Sequence, residues 1–274
     1  MRHIDKHTFG PWAIVTGASS GIGKEFARQL AASGLNLILV ARRLPLLEEI
    51  GHTLAQEYGI DYRALSLDLS QEGFLEPLEA ATDDLDIGLV VSNAGAVNPG
   101  AFLSSDEDLL QQMVRLCVIA HLRLAHHFGA RLAARGRGGI ILLSGMRASQ
   151  GVPYMANDSA TRAYVLTLGE TLNVEFQQHH VNVTVLLPAP TQTPLFDKIG
   201  FDPKSTPLPP MTVEQCVSEG LAALHANRPS HLTGAIYRIM NRLMPRSLFR
   251  QMNGSMLLKV LTQQQARNAV YQAK

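Results

Sequence analysis

The sequence predicts a doubly wound parallel α/β sheet, a three-layer α/β/α arrangement in a single domain, with a basic helical extension after it. Three observations carry this expectation. Short apolar, partly β-branched runs alternate with helical patterns along the chain, the pattern expected of a parallel sheet covered on both faces. The first such run, 12–15, leads into the turn Thr16-Gly17-Ala18-Ser19-Ser20-Gly21-Ile22-Gly23. A segment whose apolar positions 26, 27, 30 and 31 recur at helical spacing follows it. Finally, 274 residues at 46% hydrophobic and 17% charged can bury the core of one large domain.

Strand, glycine turn and helix together present backbone N–H groups and a helix N-terminus to a phosphate. Gly17 suits the tight turn, while Gly21 and Gly23 suit close approach of a ligand and of the helix. Gly17-Ala18-Ser19-Ser20-Gly21 also satisfies the nucleophile elbow of hydrolases, but that pattern does not call for Gly23. A P-loop is excluded because no Lys-Ser/Thr pair follows the glycines.

The second strand, 35–43, ends in Ala41-Arg42-Arg43. In a dinucleotide fold this end meets the adenosine ribose, where an acid would repel a 2′-phosphate and arginines attract one, so the pair favours NADP(H). A helix is expected over 44–58, a third strand over 62–69 ending at Asp68-Leu69, and a helix over 74–82. The strand 87–92 runs into Asn93-Ala94-Gly95. Residues 104–134 read as helix broken near Gly129, 139–144 as strand, 157–176 as helix and 181–187 as strand ending at Pro188. A loop or lid with five prolines spans 194–210, followed by a helix over 212–227 and an edge strand over 231–237.

The domain is expected over 1–237 and the extension over 238–274. No Asp or Glu follows Glu219, whereas Arg238, Arg242, Arg246 and Arg250 repeat every four residues among Met and Leu, with an interruption at Pro245. Such a tail can rest on a membrane surface or a partner subunit; the plainer reading, which the sequence favours, is a helical cover with its cations in solvent.

A formal charge of +1 argues against nucleic acid as a partner. Cys117 and Cys216 lie far apart, so no disulfide framework or metal site is expected and a cytoplasmic location is the default. The His pairs 126–127 and 179–180 lack metal-ligand spacing and read as solvated helix-end residues. No run is long and apolar enough for a membrane span.

Over roughly residues 10–235 these features resemble the short-chain dehydrogenase/reductase family, which implies a Rossmann-like fold, NADP(H) and a small-molecule substrate. Thr16–Gly23 resembles the family's cofactor turn, Ala41-Arg42-Arg43 its NADP-preferring form, and Asp68-Leu69 its adenine contact. Ser92-Asn93-Ala94-Gly95 is similar to its N-A-G motif. The segment 188–193 is similar to the stretch after strand six, where Thr193 would meet the nicotinamide amide; Ala189 stands where Gly is usual. Homo-oligomers are an expectation from the same resemblance.

The family's chemistry uses an Asn, a Ser, a Tyr that donates a proton, and a Lys that lowers the Tyr pKa. In this register those positions fall on Cys117, Gly145, Asp158 and Arg162, so no family catalytic residue carries over. Tyr154 does not rescue the pattern, having Asp158 rather than Lys four residues on. Asp158 and Arg162 stand in the favourable order for a helix ion pair, and Arg147 is a further cation nearby. An ionised carboxylate suits stabilisation of a cation, which points to an imine or iminium substrate, or to a non-redox reaction, with Asp158, Arg162 and Arg147 as the catalytic candidates. The alternatives are an inactive NADP(H)-binding scaffold, with Asp158–Arg162 a partly exposed salt bridge, and an ordinary carbonyl reductase.

Overall fold

The computed structural model describes residues 4–195 and 208–272, with side chains as far as Thr262. A short helix α1 (Lys6–Phe9) precedes β1 (Trp12–Thr16), α2 (Gly21–Ala32), β2 (Asn36–Ala41), α3 (Leu44–Tyr58), β3 (Tyr62–Ser66), α4 (Leu75–Ala80) and β4 (Ile87–Ser92). Then come α5 (Glu107–Val114), α6 (Ala120–Arg135), β5 (Gly138–Leu143), α7 (Ala156–Phe176) and β6 (Val181–Leu187). The chain continues through α8 (Val213–His225), β7 (Ser230–Leu232), α9 (Ala235–Leu243) and α10 (Arg246–Gln272).

The strands form one parallel sheet in the order β3-β2-β1-β4-β5-β6-β7. Successive strand residues alternate between faces. Val15, Leu39 and Val91 pack with Phe26, Leu30, Leu47 and Leu221 of α2, α3 and α8. Ile14, Ile38 and Val90 pack with Leu78, Leu124, Phe128 and Val165 of α4, α6 and α7. Both faces are covered, so this is the expected doubly wound, Rossmann-like sandwich. The strand order reverses between β1 and β4, and the crevice at their C-terminal ends is where such a sheet holds a ligand.

Several expectations are corrected. The helix over 104–134 does not break at Gly129. It carries a π-helical turn at Arg115–Ile119 instead, and Gly129 is an interior helical residue that is glycine for packing, since a β-carbon there would press into the Phe176 ring. The edge strand over 231–237 is only three residues long, because Gly234 turns the chain at φ 79° and Tyr237 already belongs to α9. The boundary at 237/238 therefore falls inside a helix. The Pro245 interruption is present, between α9 and α10. His127 sits within α6 and pairs with Glu79 at 2.8 Å rather than lying solvated at a helix end. Of the proline-rich segment, 196–207 lies outside the described residues. Among the described residues no helix is long and apolar enough to cross a membrane.

Candidate active site

A cavity of about 570 Å³ opens at the switch point between β1 and β4. Gly17, Ser19, Ser20, Gly21, Ile22 and Gly23 form its floor; Arg42, Arg43, Asp68 and Leu69 line one end, Asn93, Ala94 and Gly95 its side. Leu143, Arg162 and Thr193 bound it as well. Of the residues expected to contact a cofactor, only Pro188 is not among the lining residues; its carbonyl accepts a bond from the Met146 N–H instead.

The turn is held in place by Thr16, its first residue, whose bonding role the motif alone does not state. Thr16 Oγ1 accepts from the N–H groups of Asn93 at 2.8 Å and Ala94 at 3.0 Å, and Asn93 Nδ2 donates to the Thr16 carbonyl at 2.8 Å. This stitches the end of β1 to the end of β4. A β-carbon at Gly17 would lie 2.7 Å from Asn93 Nδ2, and Gly17 also takes a φ of 67°, so both space and backbone demand glycine. A hydroxyl residue directly before the glycines was the available signal.

The cavity offers donors and positive charge to an anion. Helix α2 enters it with no side-chain cap and no acid in its first turn, leaving its N-terminal N–H groups and dipole for an anion. No carboxylate stands at the end of β2, and Arg43 reaches back so that its Nη2 donates to Ser19 Oγ at 3.0 Å. Asp68 is held in its loop by accepting from the Ser70 N–H and hydroxyl.

Residues at the expected catalytic positions divide sharply. Arg162 lines the cavity, its Nη1 donating to the Leu143 carbonyl and its Nη2 to the Ala96 carbonyl, both at 3.3 Å. Asp158 lies one turn earlier on α7, and its side chain has no exposed surface. Arg147 Nε donates to Asp158 Oδ2 at 2.7 Å, and Arg162 Nε lies 3.5 Å from Oδ1. Oδ1 and Arg162 Nε are buried and make no hydrogen bond, so the second contact is charge attraction only. The cluster is thus a sealed carboxylate between two guanidiniums, not a partly exposed bridge, and it carries an excess of one positive charge.

Cys117, Gly145, Asp158 and Arg147 are absent from the cavity lining. Cys117 lies in the π-helical turn, its Sγ against the N–H and carbonyl of Ala96 at 3.4 and 3.8 Å. Tyr154 takes a φ of 64° and packs with Phe249 and Leu257 of α10. Among the described lining residues there is no Tyr, Lys or His, and none of them brings ordinary acid–base character to the Leu143–Thr193 end. One buried titratable group nearby was missed from sequence, because a lone His on a helix carries no motif. His121 is fully buried and hydrogen-bonded through Nδ1 to Ser92 Oγ at 2.8 Å. Burial first, and the neighbouring Arg162 cation second, pull its imidazole down to about 3.

Comparison with known proteins agrees with this geometry. A family model described as short chain dehydrogenase matches residues 11–203. A 7beta-hydroxysteroid dehydrogenase of Clostridium sardiniense is 32% identical over 234 residues, covering 85% of this chain and 89% of the relative. A very-long-chain 3-oxoacyl-CoA reductase of Podospora anserina is 33% identical over 183 residues, covering 65% of this chain and 54% of the relative. Among solved structures, a 7beta-hydroxysteroid dehydrogenase superposes with a TM-score of 0.82 at 25% identity, covering 91% of this chain and 98% of the other. A short-chain dehydrogenase from Sphingobium yanoikuyae in complex with NADPH gives 0.77 at 30%, covering 81% and 87%. The chain belongs to the short-chain dehydrogenase family.

Proposed function

We propose that this protein is an NADP(H)-dependent reductase acting on a carbonyl compound, in which Arg162 takes over the electrostatic part of the family's chemistry and no side chain supplies the proton. One observation carries the reading: among the described lining residues Arg162 is the ionisable group at the Leu143–Thr193 end of the cavity, while its carboxylate partner is sealed behind it.

The uncapped N-terminus of α2 would hold the pyrophosphate, and Arg42 and Arg43 the 2′-phosphate, in preference to NAD(H). Asp68 and Leu69 would border the adenine, and Thr193 the nicotinamide amide. When bound, the dinucleotide supplies a hydride to the carbonyl carbon. Arg162 stabilises the alkoxide that develops on oxygen, since each of its terminal nitrogens keeps a second N–H beyond the bonds to Leu143 and Ala96. The alkoxide takes its proton from water. Asp158 acts through Arg162, fixing the guanidinium in place, and is a positioning residue.

This replaces the imine or iminium substrate expected from sequence. A cationic carbon would need the Asp158 carboxylate to face it, and would instead meet an excess positive charge. The names of the relatives, hydroxysteroid dehydrogenases and 3-oxoacyl-CoA reductases, point to carbonyl carbons as well. Absence of a Tyr, Lys or His from the described lining favours a second reading, cofactor binding without turnover.

Titration with NADPH and NADH, followed by turnover assays on hydroxysteroid ketones, 3-oxoacyl thioesters and cyclic imines, separates these readings. Expected are NADPH binding at least about tenfold tighter than NADH, a preference erased by Arg42→Gln with Arg43→Gln, and ketone reduction that Arg162→Met abolishes. Tight NADPH binding with no turnover on any panel would establish the second reading. Cyclic-imine turnover lost in Asp158→Asn would restore the iminium chemistry.

A further inference from the structure

Helix α9 has two apolar faces. Tyr237 and Met240 pack inward on Ala189, Met211 and Met146, in the loops that follow β5 and β6. Ile236, Ile239 and Leu243 stand one turn apart on another face, exposed to 62%, 60% and 74%. The following helix, α10, leaves Leu248 and Met252 exposed too. A soluble surface seldom leaves three aliphatic side chains in register on one short helix.

The charges beside this face are of one sign. Glu219 is the last Asp or Glu of the sequence, and it is already engaged: Arg238 Nη1 lies at 2.7 Å, His231 Nε2 at 2.9 Å, and the Gly234 N–H donates to it as well. Among the described residues no carboxylate pairs with Arg242, Arg246, Arg250 or Lys259. Arg246 donates to the Ser149 carbonyl; Arg242 and Arg250 are exposed.

We propose that α9 and the start of α10 form an interfacial anchor, lying on an anionic lipid surface with Ile236, Ile239 and Leu243 in the acyl boundary and Arg242 and Arg250 at the headgroups. Exposed aliphatic residues beside unpaired cations are the two parts such a contact needs: apolar area for depth and positive charge for attraction to anionic lipid. A second copy of this chain fits less well, since a two-fold contact through this face would set Arg242 near like charge. Because the inner face of α9 packs on the loops that edge the cavity, an anchored chain would hold its site near the lipid.

The test is flotation of the full chain with vesicles of phosphatidylcholine alone or mixed with phosphatidylglycerol, over a range of salt. Binding is expected on the mixed vesicles, weakening as salt rises. It should fall at least about tenfold in Arg242→Gln/Arg250→Gln and in Ile236→Asn/Ile239→Asn/Leu243→Asn, with Tm unchanged in both variants. Failure to float with either vesicle overturns the proposal. So does sedimentation showing a dimer that the triple variant disperses, which would assign the face to a second copy. Equally tight binding to polyglutamate that ignores the triple variant would assign the cations to an acidic polypeptide and overturn it too.

Discussion

At Asp158 the cost of burial decides what the residue can do. A carboxylate with no exposed surface persists only because Arg147 and Arg162 flank it. Asp158→Ala leaves two guanidiniums facing each other without compensation, and about 3–5 kcal/mol of stability is expected to be lost in urea unfolding. Asp158→Asn keeps the shape and one acceptor, so it should cost less. Arg147→Gln should cost about 1 kcal/mol, because that side chain is one-third exposed and solvent takes over part of its role. If Asp158→Ala and Arg147→Gln proved equally mild, the carboxylate would not depend on its sealed pairing. A second expectation concerns rate. Arg stays charged to high pH, so ketone reduction governed by Arg162 should be flat from about pH 7 to pH 9. A rise or fall through that window would reveal an ionising acid or base that the cavity lining does not show.

Individual elements show where local sequence suffices and where it does not. Helix α3 was legible to the residue, because Pro45 sits in its first turn and Gly59, at φ 68°, ends it. Strands β4 and β6 were equally clear, being short apolar runs with plain boundaries. The π-helical turn at Arg115–Ile119 was not, since nothing in its composition marks one extra residue per turn. Nor was the end of β7, where Gly234 overrides an apolar pattern that could serve strand or helix. In the site, the place of the glycines and of Arg42-Arg43 on the cavity wall was readable, because a glycine turn after the first strand and the end of the second strand meet at that crevice in such a sheet. That Asp158 faces inward and Arg162 faces the cavity was not readable, because spacing along α7 assigns a face but not which side chain covers the other. Tight packing of α7 on the sheet yields a further expectation. A β-carbon at Gly169 would overlap Val185 and lie 3.1 Å from Leu142. Gly169→Ala should therefore lower stability by about 1–3 kcal/mol despite the better helix propensity of Ala. A rise in Tm would show that α7 can lift from β6 without cost.

For the whole molecule, acid is the natural stress, because one buried group, His121, and one half-buried group, Glu219, push stability the same way. His121 is neutral in the fold, its imidazole pulled down to about 3 by burial and by Arg162, whereas in the unfolded chain it protonates near 6.5. Between those values the unfolded state binds one more proton, so this contribution is complete above about pH 6.5 and falls by about 1.4 kcal/mol per pH unit below it. Burial raises the Glu219 carboxyl, but hydrogen bonds from His231, Arg238 and the Gly234 N–H outweigh that and hold it below its ordinary value. Its contribution is present above the unfolded carboxyl pKa and is lost as pH falls through the lowered one. The windows differ, so the two can be told apart. Between about pH 6.5 and pH 5 the His121 term should dominate, and His121→Gln should shallow the decline in unfolding free energy by close to one proton's worth. Glu219→Gln should leave the slope in that window alone, lower stability by a constant amount above about pH 4.5, and converge with wild type as the pH falls further. The same slope in wild type and His121→Gln would mean that the imidazole reaches solvent in the folded state. That would place water beside Arg162, and weaken the low-dielectric setting in which its guanidinium can act on an oxyanion.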